Sequence, residues 1–194
     1  MEWHSILVFT HVITVVFMSV PLYNLVVVNE RGRMGKDAGV NVDRYFENII
    51  RGGAKRCFVF QLTVMLSGVA LVLVDGIGFS GLWSDSVLAL KTVLLVALMG
   101  LLSHIHFSVQ PRIDALLASV TGDSIPPETG GRMAPLRLRR KRLAAVCLFF
   151  LITEVALGMQ VFSHWPMPGV LVVEILAGLF AWRAYKSVVP FGWV

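Results

Sequence analysis

The chain has 194 residues, of which 56% are hydrophobic and only 15% are charged, and its mean hydropathy is +0.75. This composition excludes an ordinary soluble domain and is typical of an integral membrane protein. The net charge of +5 does not indicate nucleic-acid binding, because membrane topology explains the distribution of the basic residues better.

Five apolar segments predict an all-α membrane protein, a single bundle of five transmembrane helices spanning residues 1–194. The segments are Ser5–Val28, Cys57–Phe79, Ser86–Phe107, Ala144–Phe162 and Gly169–Tyr185. About 20 apolar residues cross the hydrocarbon core as a helix. Continuous apolar runs also favour helices over the alternating strands of a membrane barrel.

The basic residues predict the orientation of this bundle. Sixteen of the seventeen Lys and Arg residues lie between segments one and two, between segments three and four, or at the end of segment five and just after it. The positive-inside rule therefore places the N-terminus outside and the C-terminus in the cytoplasm of a bacterial inner membrane. On the cytoplasmic side these charges would also contact anionic lipid.

The first basic stretch contains a predicted amphipathic helix at about residues 41–51, capped by Asn41 and ending at Gly52. Its apolar face is formed by Val42, Tyr45, Phe46, Ile49 and Ile50. Such a helix either lies in the membrane interface or forms a lid packed on the bundle, and the pattern leaves both open.

The second basic stretch begins as a helical extension of segment three, from Ile113 to Val120. The sequence TGDSIPPETGG then predicts a flexible loop at about residues 121–135, because Gly, Pro, Ser and Asp interrupt regular structure.

Polar side chains recur at a similar depth in the outer half of all five segments. His11 lies about 9 Å from the outer end of its helix, and Lys91 lies about five residues from the outer end of segment three. An unpaired lysine in lipid costs about 2.5–3.5 kcal/mol. We therefore expect Lys91 to pair with Glu174 or Asp75, whereas Glu154 is predicted to lie deeper.

His104 and His106 lie at the opposite, inner end, about 20 Å from His11 by helical rise, so one haem cannot bind both His11 and His104. Two interpretations remain open. The pair are interfacial histidines near the headgroups, or they belong to a proton or quinone site. The polar residues expected at that depth are Asn24, Gln61 and Gln110.

An outer-surface group of Glu2, His4, His164 and Met167 offers ligand types that suit copper. Three of these four residues come from chain ends or turns. The group therefore predicts a copper site only weakly.

The pattern FTHVITVVFMSVPLYN in segment one, followed by LWSDSVLALKTVLLVALMG with a histidine soon after, resembles the bacterial membrane protoporphyrinogen oxidases and copper-resistance D-like proteins. The resemblance covers about residues 5–110. It implies a small haem b-binding helical bundle in which His11 and Lys91 are the functional pair. The stretch VPLYNLVVVNE departs from the Arg-Pro sequence that those oxidases carry near the end of segment one.

We therefore expect haem b in the outer half of the bundle, with His11 as an axial ligand of the haem iron. The second ligand would be Met159, Lys91 or none, and Lys91 would alternatively hold a propionate. Glu174 lies in the same layer. Gly100, Gly158 or Gly68 would let a flat macrocycle approach a helix.

The expected role is redox. The protein would act as a protoporphyrinogen oxidase-like enzyme or a cytochrome b-type subunit, and would pass electrons between a haem and the quinone pool or a partner. Expected partners are membrane lipid, quinone, and a second copy or other subunits of a membrane complex. The alternatives are a copper-handling transporter or accessory protein, led by His4 and His164, and a non-catalytic subunit of a larger complex.

Overall fold

The computed structural model describes residues 2–28, 39–163 and 165–187, and every regular element in these ranges is helical. The elements are α1 (Glu2–Val27), α2 (Val40–Val74), α3 (Gly78–Ser84), α4 (Ser86–His104), a π-helical turn (Ile105–Val109), α5 (Gln110–Ala118), α6 (Pro127–Ser163) and α7 (Met167–Lys186). The prediction of an all-helical chain is confirmed for the described residues.

Within the described part of the chain, five helices are long and apolar enough to cross a membrane, as predicted. They span Trp3–Val27, Val40–Val74, Ser86–Ala118, Pro127–Val161 and Met167–Lys186. Five helices of this length and composition indicate a multi-pass membrane protein.

Four of these helices form the core of the bundle. α1 and α4 each pack against both α2 and α6, whereas α7 packs mainly on α6. The central cluster contains Met18, Leu22, Cys57, Leu98 and Leu102, with residues of α6 completing it. We call the end of the bundle at which α1 begins the Trp3 end, after exposed Trp3. The opposite end, where the long helices extend furthest, is the Arg140 end, after buried Arg140.

α2 is a single helix of 35 residues, so the predicted helix at 41–51 does not end at Gly52. It continues into the membrane segment instead, because Gly52 and Gly53 both keep helical geometry. A Cβ at Gly53 would lie 3.4 Å from Pro21 Cβ, so the glycine accommodates the proline of α1 at close range. The membrane segment also ends earlier than predicted, at Val74 rather than Phe79.

The N-terminal part of α2 buries acidic side chains as well as part of its predicted apolar face. Asp43 and Glu47 are buried, and so is Ile50, whereas Tyr45 is 64% exposed and Val42 is 38% exposed. The acidic side chains are therefore turned toward the neighbouring helices, and Val42 and Tyr45 are turned away from them.

α6 begins at Pro127, so helix replaces most of the loop predicted at 121–135. The irregular part covers only residues 119–126. Proline is well suited to the first turn of a helix, where its missing N–H has no partner to lose. The predicted segment Ala144–Phe162 lies entirely inside this helix.

α4 and α5 form one continuous rod through the π-helical turn, which confirms the predicted helical extension of segment three as far as Ala118. Pro111 lies just after this turn. A proline inside a helix has no backbone N–H to donate, and its ring clashes with the carbonyl four residues earlier. The helical turn before Pro111 is therefore wider than an α-helical turn.

The long helices extend beyond the thickness of a membrane. α2 spans about 52 Å at 1.5 Å per residue, whereas the hydrocarbon core is about 30 Å thick. The excess lies at the Arg140 end, where residues 40–51, 110–118 and 127–143 pack together. We call these three ranges the stem.

Candidate functional site

His11 lies inside the bundle against α2. Its Nδ1 is 2.9 Å from the hydroxyl oxygen of Ser67. The same hydroxyl lies 2.7 Å from the carbonyl oxygen of Thr63, one turn earlier in α2.

Both contacts are hydrogen bonds in one tautomer of His11. A serine hydroxyl has one hydrogen, and that of Ser67 is donated to the carbonyl of Thr63. The hydroxyl oxygen therefore accepts a hydrogen bond from His11 Nδ1–H. The lone pair of the neutral ring then lies on Nε2, which is the arrangement a histidine needs to bind a metal ion while a second residue orients its ring.

Gly68 allows this close contact between α1 and α2. A Cβ at Gly68 would lie 3.2 Å from His11 Cε1 and 3.7 Å from Nδ1. The imidazole ring therefore lies directly on the backbone of α2, and any side chain at this position would push it away.

Lys91 reaches across from α4 to α6. Its Nζ donates to the backbone carbonyl of Glu154 at 2.9 Å and lies 3.2 Å from the carboxylate oxygen Oε2 of the same residue. The ammonium group also lies close to the backbone of α6 at Gly158, where a Cβ would be 3.5 Å from Nζ.

The predicted partners of Lys91 were wrong. The lysine side chain is long enough to reach Glu154, which the sequence placed deeper than the lysine. Asp75 lies instead 3.1 Å from His4 Nε2, and Glu174 accepts a hydrogen bond of 2.8 Å from Thr153.

Among the described residues, one N–H donor and one carboxylate oxygen of this ion pair have no partner of their own. The ammonium group has three N–H donors, of which two are directed at Glu154. Oε1 of the Glu154 carboxylate is buried without a hydrogen-bond partner. We call the His11–Ser67 contact between α1 and α2 and the Lys91–Glu154 pair between α4 and α6 the polar layer, because both lie in the Trp3-end half of the bundle.

The structure does not bring the other predicted site residues into this layer. Met159 is 39% exposed on α6. Gly100 is exposed, and a Cβ there would meet nothing within 4 Å, so it lies on the outer surface of α4. Glu174 belongs to α7, on the far side of α6, and its Oε1 is also buried without a partner.

The proposed copper group is only partly described. His164 lies outside the described residues, and His4 contacts Asp75. Within residues 2–28, 39–163 and 165–187, no group of three His, Cys, Asp or Glu side chains is placed to hold a metal ion.

His104 and His106 occupy different environments near the Arg140 end. His104 Nε2 lies 3.1 Å from an NH2 group of Arg139, so it accepts a hydrogen bond from the guanidinium. His106 packs edge-on against Phe58 at 5.7 Å between ring centroids, and its Nδ1 is buried without a partner.

A buried charge network in the stem was missed by the sequence analysis. Arg140 and Glu47 are each 1% exposed, and the guanidinium binds both carboxylate oxygens, at 2.5 Å and 3.1 Å. Gln110 accepts from Arg140 at 2.5 Å and donates to Glu47 at 3.0 Å. Arg137 also pairs with Asp43, and it lies 3.2 Å from Glu47.

Further contacts tie the stem together. Arg51 pairs with Asp114 at 2.8 Å, and Arg44 donates to the carbonyl of Val120 at 3.0 Å. Lys141 is fully buried and donates to the carbonyl and hydroxyl of Ser187, directly after α7. Basic residues of both basic stretches therefore make structural contacts.

Comparison with known proteins gave no match to a family model, to a curated protein or to a solved structure.

Proposed function

We propose that the protein binds haem b in its Trp3-end half, with His11 Nε2 as an axial ligand, and serves as a membrane redox protein. The observation that carries this proposal is the His11–Ser67 contact, which leaves the lone pair of the imidazole on Nε2. A neutral imidazole oriented by a second residue is a common haem ligand. When bound, haem b supplies one-electron exchange at its iron.

Lys91 and Glu154 would hold the polar edge of the cofactor. The third N–H of the Lys91 ammonium would donate to a propionate carboxylate, as a point charge does. Glu154 would keep the lysine in position through its carbonyl and carboxylate oxygens. The resemblance to the protoporphyrinogen oxidases, in which the corresponding histidine and lysine act together, also supports this assignment.

The distribution of basic residues supports a location in the bacterial inner membrane, with the Trp3 end outside. The stem and its arginines would then lie in the cytoplasm, in agreement with the positive-inside rule. In this orientation the His11 site faces the outer half of the bilayer. Electrons would pass between the haem and either the quinone pool or a partner subunit.

A visible absorption spectrum of the purified protein tests the proposal. A Soret band and an α band that sharpens on reduction by dithionite are expected, with about one haem per chain. Copper bound in place of these bands would support the copper-handling alternative. A protein with neither haem nor copper after growth with both supplied would favour a non-catalytic subunit and overturn the proposal.

A further inference from the structure

A second set of unpartnered polar atoms lies on α2 and on the π-helical turn of the rod formed by α4 and α5. Gln61 is 1% exposed, and its amide oxygen Oε1 has no hydrogen-bond partner. Nδ1 of His106, in the π-helical turn, is likewise buried and unpartnered. A buried polar atom without a partner costs about 1–3 kcal/mol, so two such atoms indicate that something else satisfies them.

Both residues lie close to the contact that Phe58 of α2 makes with His106. Phe58 of α2 contacts the His106 ring, and Gln61 lies one turn further along α2, about 5 Å toward the Trp3 end. Glu47, 14 residues earlier and about 40° away around α2, binds Gln110 of α5 and Arg140 of α6, so the face that carries Gln61 is turned to the interior of the bundle. Gln61 therefore lies inside the bundle, about one turn beyond the Phe58–His106 contact.

The rim of this region is aromatic and opens toward the outside of the bundle. Phe107 is 70% exposed, and its ring centroid lies 4.9 Å from that of His106 and 6.0 Å from that of Phe58. His106 is about 20 residues, or about 30 Å, along the rod from Ser86, close to the far boundary of the hydrocarbon core. A ligand could therefore enter from the bilayer without crossing water.

The chemistry of the two atoms defines the ligand. Gln61 Oε1 accepts hydrogen bonds only, whereas a histidine ring nitrogen donates in one tautomer and accepts in the other. The ligand must be flat, apolar at its faces, and able to hydrogen-bond at both ends of its ring. It must also be able to donate at one end.

We propose that this region, formed by Gln61, His106, Phe58 and Phe107, binds the headgroup of a membrane quinone, most tightly in its quinol form. One quinol hydroxyl donates to Gln61 Oε1, and the opposite ring oxygen bonds to His106 Nδ1. The phenylalanines pack on the ring. The inference deepens the proposed redox function, on which it rests, by giving the quinone pool a binding site distinct from His11.

Photolabelling with an azido-quinone, applied to the whole protein in lipid nanodiscs, tests the site. We expect the label on the peptides that contain residues 58–61 and 105–107, displaced by excess unlabelled quinol. Gln61→Leu and His106→Phe should each weaken labelling about tenfold, the loss of one hydrogen bond of about 1.4 kcal/mol. His104→Ala is the matched control and should label as the wild type does, because His104 already bonds to Arg139.

Labelling equal in the wild type and both variants, or centred on other peptides, would overturn the inference. Two variants are used so that poor folding of one leaves the other as a test, with thermal unfolding measured for each. The readout needs no haem. Labelling at this site in a haem-free protein would refute the proposed function alone, whereas haem bands without this labelling would refute the inference alone.

Discussion

The Lys91 ammonium of α4 lies 3.2 Å from the carboxylate of Glu154 in α6 and 2.9 Å from its backbone carbonyl. The pair connects two helices in the Trp3-end half of the bundle, and both side chains are largely buried. A charge in this position needs its partner, because water is not available to replace it.

Lys91→Met is therefore expected to destabilise the protein by about 3–5 kcal/mol, since it leaves the Glu154 carboxylate buried and unpaired. The double variant Lys91→Met/Glu154→Leu should recover most of this loss. Thermal unfolding in detergent can be followed with a thiol-reactive dye, because the free cysteines Cys57 and Cys147 are both buried in the folded chain. If the double variant is less stable than Lys91→Met, the pair does not act as described.

The stem gives a second stability test with neighbouring residues in the same basic run. Arg140 is buried on Glu47 and Gln110, whereas Arg139 is exposed beside His104. Arg140→Met should cost about 3–5 kcal/mol, because it removes the buried guanidinium that binds both oxygens of the Glu47 carboxylate, while Arg139→Met should cost about 0–1 kcal/mol. Similar unfolding temperatures for the two variants would contradict the buried network.

Gly68 and Gly100 provide a matched pair of helical glycines. Alanine at Gly68 would place its Cβ 3.2 Å from His11 Cε1, whereas alanine at Gly100 would meet nothing within 4 Å. Gly68→Ala should displace the histidine, and it should lower haem content or shift the α band. Gly100→Ala should keep the spectrum and gain up to about 1 kcal/mol of helix propensity. A spectral change in Gly100→Ala alone would place the cofactor elsewhere.

Cysteine labelling checks the orientation. Ser80 and Ser124 are both exposed and lie at opposite ends of the bundle. In intact spheroplasts, Ser80→Cys should react with a membrane-impermeant maleimide and Ser124→Cys should react only after lysis. The two native cysteines are buried and serve as the unlabelled background. The reverse pattern would place the His11 site in the cytoplasmic half.

The five membrane helices could be predicted because apolar length alone determines them. The stem could be predicted only in part: the helix at 41–51 and the extension of segment three were predicted, but the contacts between them were not. Arg140 and Arg139 are adjacent and alike in sequence, and only the side-chain contacts of Arg140 with Glu47 and Gln110 distinguish the buried one. The acidic partner of Arg140, Glu47, lies more than 90 residues away, where a single sequence gives no signal.

The candidate site stays a prediction. His11 and Lys91 were singled out from their depth, and the structure shows His11 against Ser67 and Lys91 against Glu154. Ser67 was missed, because a serine in an apolar helix has no distinguishing pattern. Glu154 was assigned the wrong depth, since counting residues along each helix ignores how far the helices are shifted and how far a lysine side chain reaches.

The reduced-minus-oxidised spectrum of His11→Ala, measured beside His104→Ala and His106→Ala, tests the central claim most directly. A b-type haem has no covalent tether, so loss of its axial ligand should abolish or strongly shift the α band in His11→Ala. The other two variants should retain it, because both histidines lie near the Arg140 end, out of reach of the same iron. Retention of the band in His11→Ala with its loss in His104→Ala would contradict the account.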